Sequence, residues 1–86
     1  MPENVAVQID LAVALTRLNK HMMASEALER ARDLAPNSPD ILSLQATNYL
    51  KRGRVNDARE TVKELARHHP RYRLSRQLRT LMELGR

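Results

Sequence analysis

The sequence predicts an all-α fold, and three observations support this prediction. The 86 residues include only two Gly and no Phe, Trp or Cys, whereas sandwiches, barrels and nucleotide-binding α/β folds use glycine in turns and aromatic or β-branched residues in strands. Apolar residues recur at helical spacing. The chain also repeats itself with a period of 34 residues, which is typical of helical arrays. A chain of this length has a thin core, and a deep enclosed active site is not expected.

The internal repeat is visible when the sequence is shifted by 34 positions. Four identical pairs then coincide, namely Ala12 with Ala46, Ala24 with Ala58, Glu26 with Glu60 and Pro36 with Pro70. The first copy reads Gln8-x2-Leu11-Ala12-x2-Leu15, then Ala24-x3-Leu28, then Pro36. The second copy reads Leu42-x2-Gln45-Ala46-x2-Tyr49, then Ala58-x3-Val62, then Pro70.

These two copies resemble the tetratricopeptide repeat, whose pattern is W-x2-L-G-x2-Y, A-x3-F and P. Both copies lack the Trp, carry Ala in place of the Gly, and replace the aromatic residue of the second helix by Leu or Val. The resemblance implies antiparallel helix-turn-helix repeats that form a short right-handed superhelical solenoid of about five helices. It divides a single domain, 1–86, into repeat 1 (5–38), repeat 2 (39–71) and a capping helix (72–86).

The first two helices are expected at 4–18 and 22–35. The first is apolar nearly all round, so we expect that a terminal position in the array leaves part of it uncovered. Asn19 readily takes the left-handed conformation that follows a helix end, and Pro36 stops the second helix. Met22 and Met23 are expected to fill gaps in the packing.

The next two helices are expected at 39–52 and 56–68. Ser38, Pro39 and Asp40 form a helix start, with a hydroxyl to cap, a proline in the first turn and a carboxylate near the positive end of the helix dipole. Gly53 occupies the turn position equivalent to Asn19, and Asn56-Asp57 begins the following helix.

The core is predicted from residue size. Small alanines (Ala12, Ala24, Ala46 and Ala58) are expected where paired helices cross, because a methyl group allows close approach. Large residues are expected to fill the space around each crossing; they are Leu11, Leu15, Leu28, Tyr49, Val62 and Leu65.

The last helix, expected at 72–84, departs from the repeat pattern. Leu74, Leu78, Leu81 and Met82 form an apolar face, while Arg73, Arg76 and Arg79 are expected opposite to it. Such an amphipathic helix is typical of the cap that seals the open end of a helical array.

Charge is unevenly distributed. Residues 1–43 hold four Lys/Arg and six Asp/Glu, whereas residues 44–86 hold eleven and four. The basic half indicates an acidic protein, a nucleic acid or an anionic surface as partner, or simply a solvated face. Nucleic acid is disfavoured, because no platform of aromatic residues and no recurring pair of base-reading side chains accompanies the charge.

The sequence gives no sign of catalysis. It has no Gly-rich phosphate loop, no nucleophile elbow and no H-E-x-x-H motif, so we expect neither an enzyme nor a cofactor. His68 and His69 point in different directions on a helix, which disfavours a metal site and favours an interaction with the helix C-terminus. No segment is long and apolar enough to cross a bilayer and no export signal is visible, so we expect a soluble chain. The compartment stays open between the cytoplasm and, for a part of a longer exported protein, the periplasm.

The resemblance also implies a concave groove lined by the first helix of each pair. The groove residues that carry over to this chain and that we expect to contact a partner are Ile9, Val13, Arg17, Thr47, Leu50 and Lys51. The family members that clamp a terminal carboxylate use Lys and Asn at positions that hold Ile9, Val13, Ser43 and Thr47 here, so that subclass is disfavoured. The groove suits a peptide or helix with apolar anchors and acidic character.

The sequence therefore favours a scaffold module that binds a partner protein. Two alternatives remain open. In the first, the chain is a structural segment of a longer bacterial array or of a homo-oligomer in an envelope or secretion assembly, with self-association through its first helix. Alternatively, its basic half is an accessory nucleic-acid binder.

Overall fold

Five α-helices follow one another in the computed structural model, which describes residues 4–84. They are α1 (Val5–Arg17), α2 (His21–Leu34), α3 (Pro39–Lys51), α4 (Val55–His68) and α5 (Arg76–Leu84). No strand occurs in this range. The predicted all-α fold is confirmed. Residues 1–3 and 85–86, which the predicted domain includes at its two ends, lie outside the described part.

The helices pack as two hairpins, α1 with α2 and α3 with α4, and α2 packs against α3. The two hairpin turns have the same geometry. Asn19 and Gly53 have φ of 61° and 75°, which confirms the predicted left-handed turn residues. The amides of Lys20 and Arg54 donate to the carbonyl oxygens of Leu15 and Tyr49 at 2.8 Å in both cases. This bond is the one that closes a Schellman motif, so each turn satisfies a carbonyl at the helix end.

The four crossing alanines are buried as predicted, none being more than 1% exposed. Leu11 is the exception among the large core residues, since it is 40% exposed. The prediction for Leu11 was wrong because no helix among residues 4–84 packs against its face of α1. Met22 and Met23 are likewise exposed and fill no gap, because they lie in the first turn of α2 on a side that nothing in the described range covers.

An apolar contact joins the second hairpin to the core of the first. Leu44 of α3 packs against a buried cluster formed by Ala12 of α1 and by Ala27 and Leu28 of α2. This contact is apolar and places α3 against both helices of the first hairpin. This burial therefore helps to set the relative position of the two repeats.

The helix starts in repeat 2 differ in detail from the expectation. Pro39 and Asp40 occupy the first turn of α3 as predicted, but the Ser38 hydroxyl forms no capping hydrogen bond. Helix α4 begins at Val55, and Arg54 occupies its N-cap position. Asp57 in the first turn accepts an ion pair from Arg54 Nε at 2.7 Å. Because this carboxylate neutralises the positive helix end from within the first turn, Asn56 is not needed as a cap.

Helix α5 begins at Arg76, four residues later than predicted. The physical reason is a cap, since the Ser75 hydroxyl accepts a hydrogen bond from the Leu78 amide at 3.3 Å. Arg73 and Leu74 therefore precede the helix and do not lie on its faces. Leu74 still packs against the cluster that contains Leu78 and Leu81, so the predicted seal on the second hairpin is present.

Candidate functional site

The predicted groove residues lie on the first helix of each hairpin. Ile9, Val13 and Arg17 follow one another at four-residue intervals on α1, which places them on one side of the helix. Ile9 and Val13 are half-buried, and Arg17 is exposed. On α3, Thr47 and Lys51 occupy the positions equivalent to Val13 and Arg17 and show the same gradation of exposure.

Two of the predicted groove residues on α3, Thr47 and Leu50, make contacts within the protein itself. The Thr47 hydroxyl donates to the Ser43 carbonyl oxygen of its own helix at 3.1 Å, so its lone pairs, but not its proton, are available to a ligand. Leu50 is half-buried and packs against the cluster of Ala46, Ala58, Val62, Leu78 and Leu81. Leu50 thus helps to hold α5 in place, and only its remaining exposed surface is open to a partner.

A cation recurs at the same place in both repeats. Arg17 and Lys51 are separated by one period of 34 residues, and each lies in the last turn of its helix. Both side chains are exposed, and neither forms an ion pair with another residue in the range 4–84. Their charges are therefore available to an acidic ligand, apart from a modest interaction with the helix C-termini.

A polar network that the sequence did not reveal fixes the two hairpins relative to each other. Arg32 of α2 donates from Nη1 to Gln45 Oε1 at 3.0 Å and from Nη2 to Glu64 of α4. Gln45 is only 7% exposed. Gln45 stands where the repeat pattern has Leu, and this departure was the signal that could have revealed the network.

A second set of polar contacts joins α2 and α3 near the other end of the interface. Asn48 Nδ2 donates to the His21 carbonyl oxygen at 2.9 Å, and Arg52 Nη1 donates to Ser25 Oγ at 3.1 Å. Buried polar groups of this kind require partners at defined positions. They specify one register between the hairpins and so hold the predicted groove residues of α1 and α3 in a defined arrangement.

The outer face of α1 is apolar, and no other helix in the described part of the chain covers it. Val7 is 57% exposed and Leu18 is 65% exposed, with Leu11 between them. This observation agrees with the expectation that the first helix lacks part of its cover.

The C-terminal part of the chain carries a run of exposed arginines: Arg67, Arg71, Arg73, Arg76 and Arg79. No Asp or Glu occurs between Glu64 and Glu83. Beside this run, an open pocket of about 370 Å³ lies where the start of α3 meets the segment after α4, and its lining is Pro39, His68, His69, Pro70, Arg71 and Tyr72.

The two histidines of this region lie at the end of α4. His68 is the last residue of α4 and His69 is its C-cap. The His69 ring contacts the Asn37 carbonyl oxygen of the preceding connection, which ties two loops together. No cluster of three or more metal-ligating side chains occurs within residues 4–84. In the same range, no helix combines the length and the apolar character that crossing a membrane requires.

A comparison with protein families shows what the chain is similar to. The model described as Tetratricopeptide repeat matches residues 24–83, from the start of the α2 core through repeat 2 and α5. No curated protein and no solved structure matches the chain. The matched region spans more than half of the sequence and includes the crossing residues Ala24, Ala46 and Ala58, the turn at Gly53, and Pro70. The chain belongs to the tetratricopeptide repeat family.

Proposed function

We propose that the chain is a protein-binding module that holds a segment of a partner protein against the first helices of its two repeats. Tetratricopeptide repeats generally mediate protein–protein interactions, and the family is typically not catalytic. The proposed contacts are Ile9, Val13, Arg17, Thr47 and Lys51, with Leu50 contributing its exposed part.

The observation that carries this proposal is the recurrence of Arg17 and Lys51 at equivalent, exposed positions. Two cations in the same register, without acidic partners among the described residues, fit a ligand with carboxylates along its length. The half-buried side chains of Ile9 and Val13 supply apolar contact beside the first cation. The ligand class is therefore a helix or extended segment with apolar anchors and flanking Asp or Glu.

The residues at the carboxylate-clamp positions favour an internal segment of the partner over its C-terminus. Ile9 and Val13 offer no hydrogen-bond donor, and the Thr47 hydroxyl proton is bound to the Ser43 carbonyl oxygen. At these four positions a terminal carboxylate would find only the Ser43 hydroxyl as a side-chain donor, and its desolvation with so few replacement hydrogen bonds is costly.

A selection from a displayed library of random peptides, followed by fluorescence-anisotropy titration of the enriched sequences, tests the proposal. We expect enrichment of acidic peptides with apolar anchors and an affinity that falls with rising salt. The double variant Arg17→Glu, Lys51→Glu should bind at least about tenfold more weakly. Lys63→Glu is the matched control, because this exposed cation lies on α4 and pairs with Glu60. Equal binding by the wild type and the double variant would refute the assignment.

A second function is supported by the uncovered face of α1. Exposed apolar side chains in a row, with Val7, Leu11 and Leu18 each at least 40% exposed, mark a surface that another helix covers. We infer that the chain is also a structural segment, joined through this face to a further repeat or to another chain. Exchange of Leu11 for a polar residue should remove this association and leave peptide binding unchanged.

A further inference from the structure

The uncovered face of α1 has the spacing of a coiled-coil seam. Val7, Leu11, Ala14 and Leu18 are all exposed, and they are separated by four, three and four residues. This alternation is the heptad spacing that keeps one apolar stripe turned toward a single partner helix. We call these four residues the α1 stripe.

The equivalent face of α3 in repeat 2 shows what packs against such a stripe when it is covered. A shift of 34 residues converts the α1 stripe into Ile41, Gln45, Asn48 and Arg52 of α3. In α3 this stripe faces α2, because its polar members bond to groups on that helix. The equivalent face of α1 is therefore a helix-packing surface, and no helix among residues 4–84 packs against it.

The occupant of the α1 stripe must differ chemically from α2. On α3, Gln45 and Arg52 bond to Arg32 and Ser25. On α1 their equivalents are two leucines, which offer no hydrogen bond. A helix like α2 placed there would partly bury an arginine without the Gln45 partner that it has on α3, which is unfavourable. The stripe therefore requires a helix that is apolar at the matching positions.

Within the described residues, α1 itself is the helix that exposes such a stripe. The other large exposed apolar side chains outside α1 and the α1–α2 turn do not form a continuous row; they are Leu34, Val55 and Leu84, together with the adjacent Met22 and Met23. We propose that the α1 stripe binds the α1 stripe of a second copy of this chain in an antiparallel, two-fold symmetric dimer. This inference rests on the second proposed function, and it shares one residue, Arg17, with the proposed peptide contacts.

The side-chain sizes fit the antiparallel arrangement. The two-fold axis passes between Leu11 and Ala14, so that Leu11 of one copy lies opposite Ala14 of the other. Val7 then lies opposite Leu18. Each layer combines a larger side chain with a smaller one, which allows the two helices to interdigitate.

Charges beside the stripe support the same orientation. Asp10 and Arg17 precede Leu11 and Leu18, so both occupy the flanking position on the same edge of the stripe. In an antiparallel pair, Asp10 of one copy lies next to Arg17 of the other, and the contact occurs twice by symmetry. A parallel pair would not bring these opposite charges together. Flanking charges of this kind select the partner and the orientation in coiled coils.

The available area indicates a weak dimer. The exposed apolar side chains of the α1 stripe present on the order of 300 Å² per copy. A pair that buries this surface removes about 600 Å² of apolar area from water, which falls in the size range of weak, transient interfaces. We therefore expect dissociation constants in the micromolar range and a monomer at high dilution.

Sedimentation velocity over a concentration series tests the dimer. The wild type should shift from monomer to dimer with rising concentration, and Leu11→Glu should weaken the dimer at least about tenfold. Val55→Glu is the matched control, since Val55 is 43% exposed and Leu11 is 40% exposed, and it should dimerise like the wild type. A wild-type chain that stays monomeric at the highest concentration would assign the stripe to a further repeat or a different protein and would overturn this proposal.

Charge reversal tests the pairing without changing the apolar surface. Asp10→Arg alone and Arg17→Asp alone should each weaken the dimer, because like charges then face each other twice. The double variant Asp10→Arg, Arg17→Asp should recover it. Failure of the double variant to recover association would contradict the antiparallel contact. Since Arg17→Asp also removes a groove cation, peptide binding should stay weak in the double variant, which separates the two proposals.

Cysteine cross-linking tests the orientation, and the chain has no cysteine of its own. A mixture of Val7→Cys and Leu18→Cys proteins should form an intermolecular disulfide on mild oxidation. Each protein alone should form none, because identical positions in the antiparallel pair are about 16 Å apart along the helix. Cross-linking of each single variant with itself, and not of the mixture, would demonstrate a parallel dimer and overturn the proposed geometry.

Discussion

The crossing of α3 with α4 provides the sharpest test of the fold, through the substitution Ala46→Leu. Ala46 is 0% exposed and belongs to a cluster with Ala58, Val62, Leu78 and Leu81. Leucine adds three carbon atoms at a point where two helices and the cap converge. The neighbouring side chains are themselves buried, so the added volume cannot be directed to solvent.

The magnitude follows from the behaviour of overfilled cores. Insertion of methylene groups into a well-packed core costs about 1 to 3 kcal/mol, because side chains leave their preferred rotamers and helices shift. For a domain of this size, each kcal/mol lowers the melting temperature by about 4 to 8 °C. Ala46→Leu should therefore lower the melting temperature by at least about 4 °C. Part of the strain should reach α5, because Leu78 and Leu81 are in the same cluster.

Urea and thermal unfolding followed by far-UV circular dichroism measure the effect. Ala6→Leu is the matched control, because it makes the same chemical change at an exposed position of α1. Alanine and leucine both favour helix, so the control should change the free energy of unfolding by less than about 0.5 kcal/mol. If Ala46→Leu destabilised the protein no more than Ala6→Leu does, the close crossing of α3 and α4 at Ala46 would be refuted.

Two further predictions concern polar contacts. Ser75→Ala should lower the free energy of unfolding, measured by denaturant titration, by about 0.5 to 1 kcal/mol, since it removes the cap on the Leu78 amide. Ser38→Ala should lower it less, because that hydroxyl makes no capping bond. Equal losses in the two variants would contradict the start of α5 at Arg76. A double-mutant cycle on Arg32 and Glu64 should give a favourable coupling of about 1 kcal/mol, because both side chains are only about 30% exposed. A coupling of zero would show that the network does not join the hairpins.

Local features of the fold were predictable from the sequence because their causes are local. Asn19 and Gly53 take left-handed conformations that few other residues adopt, and Pro36 and Pro70 prevent the helices from continuing. The alanines at 34-residue spacing indicated close helix crossings, because a methyl group allows two helix axes to approach closely. These signals were sufficient for the two hairpins and for membership of the family.

The candidate site was predictable only in part. The spacing of Arg17 and Lys51 placed both on first helices, but the packing of Leu50 under α5 depends on a helix that departs from the repeat. The start of α5 was predicted four residues early because the apolar residue Leu74 continues the pattern of the helix. Ser75 ends that continuation through a side-chain bond, and a hydrophobic pattern contains no information about such a bond.

By itself, the sequence determined a two-repeat helical array with a cap, an apolar first helix and a basic second half, because periodicity and turn residues act within a few positions of the chain. The tertiary structure decided which side of the first helix stays uncovered, since exposure depends on the other segments that pack nearby. It also decided how the repeats are joined. Arg32 meets Gln45 and Glu64 across 13 and 32 residues, and contacts at that separation exist only after the helices have docked.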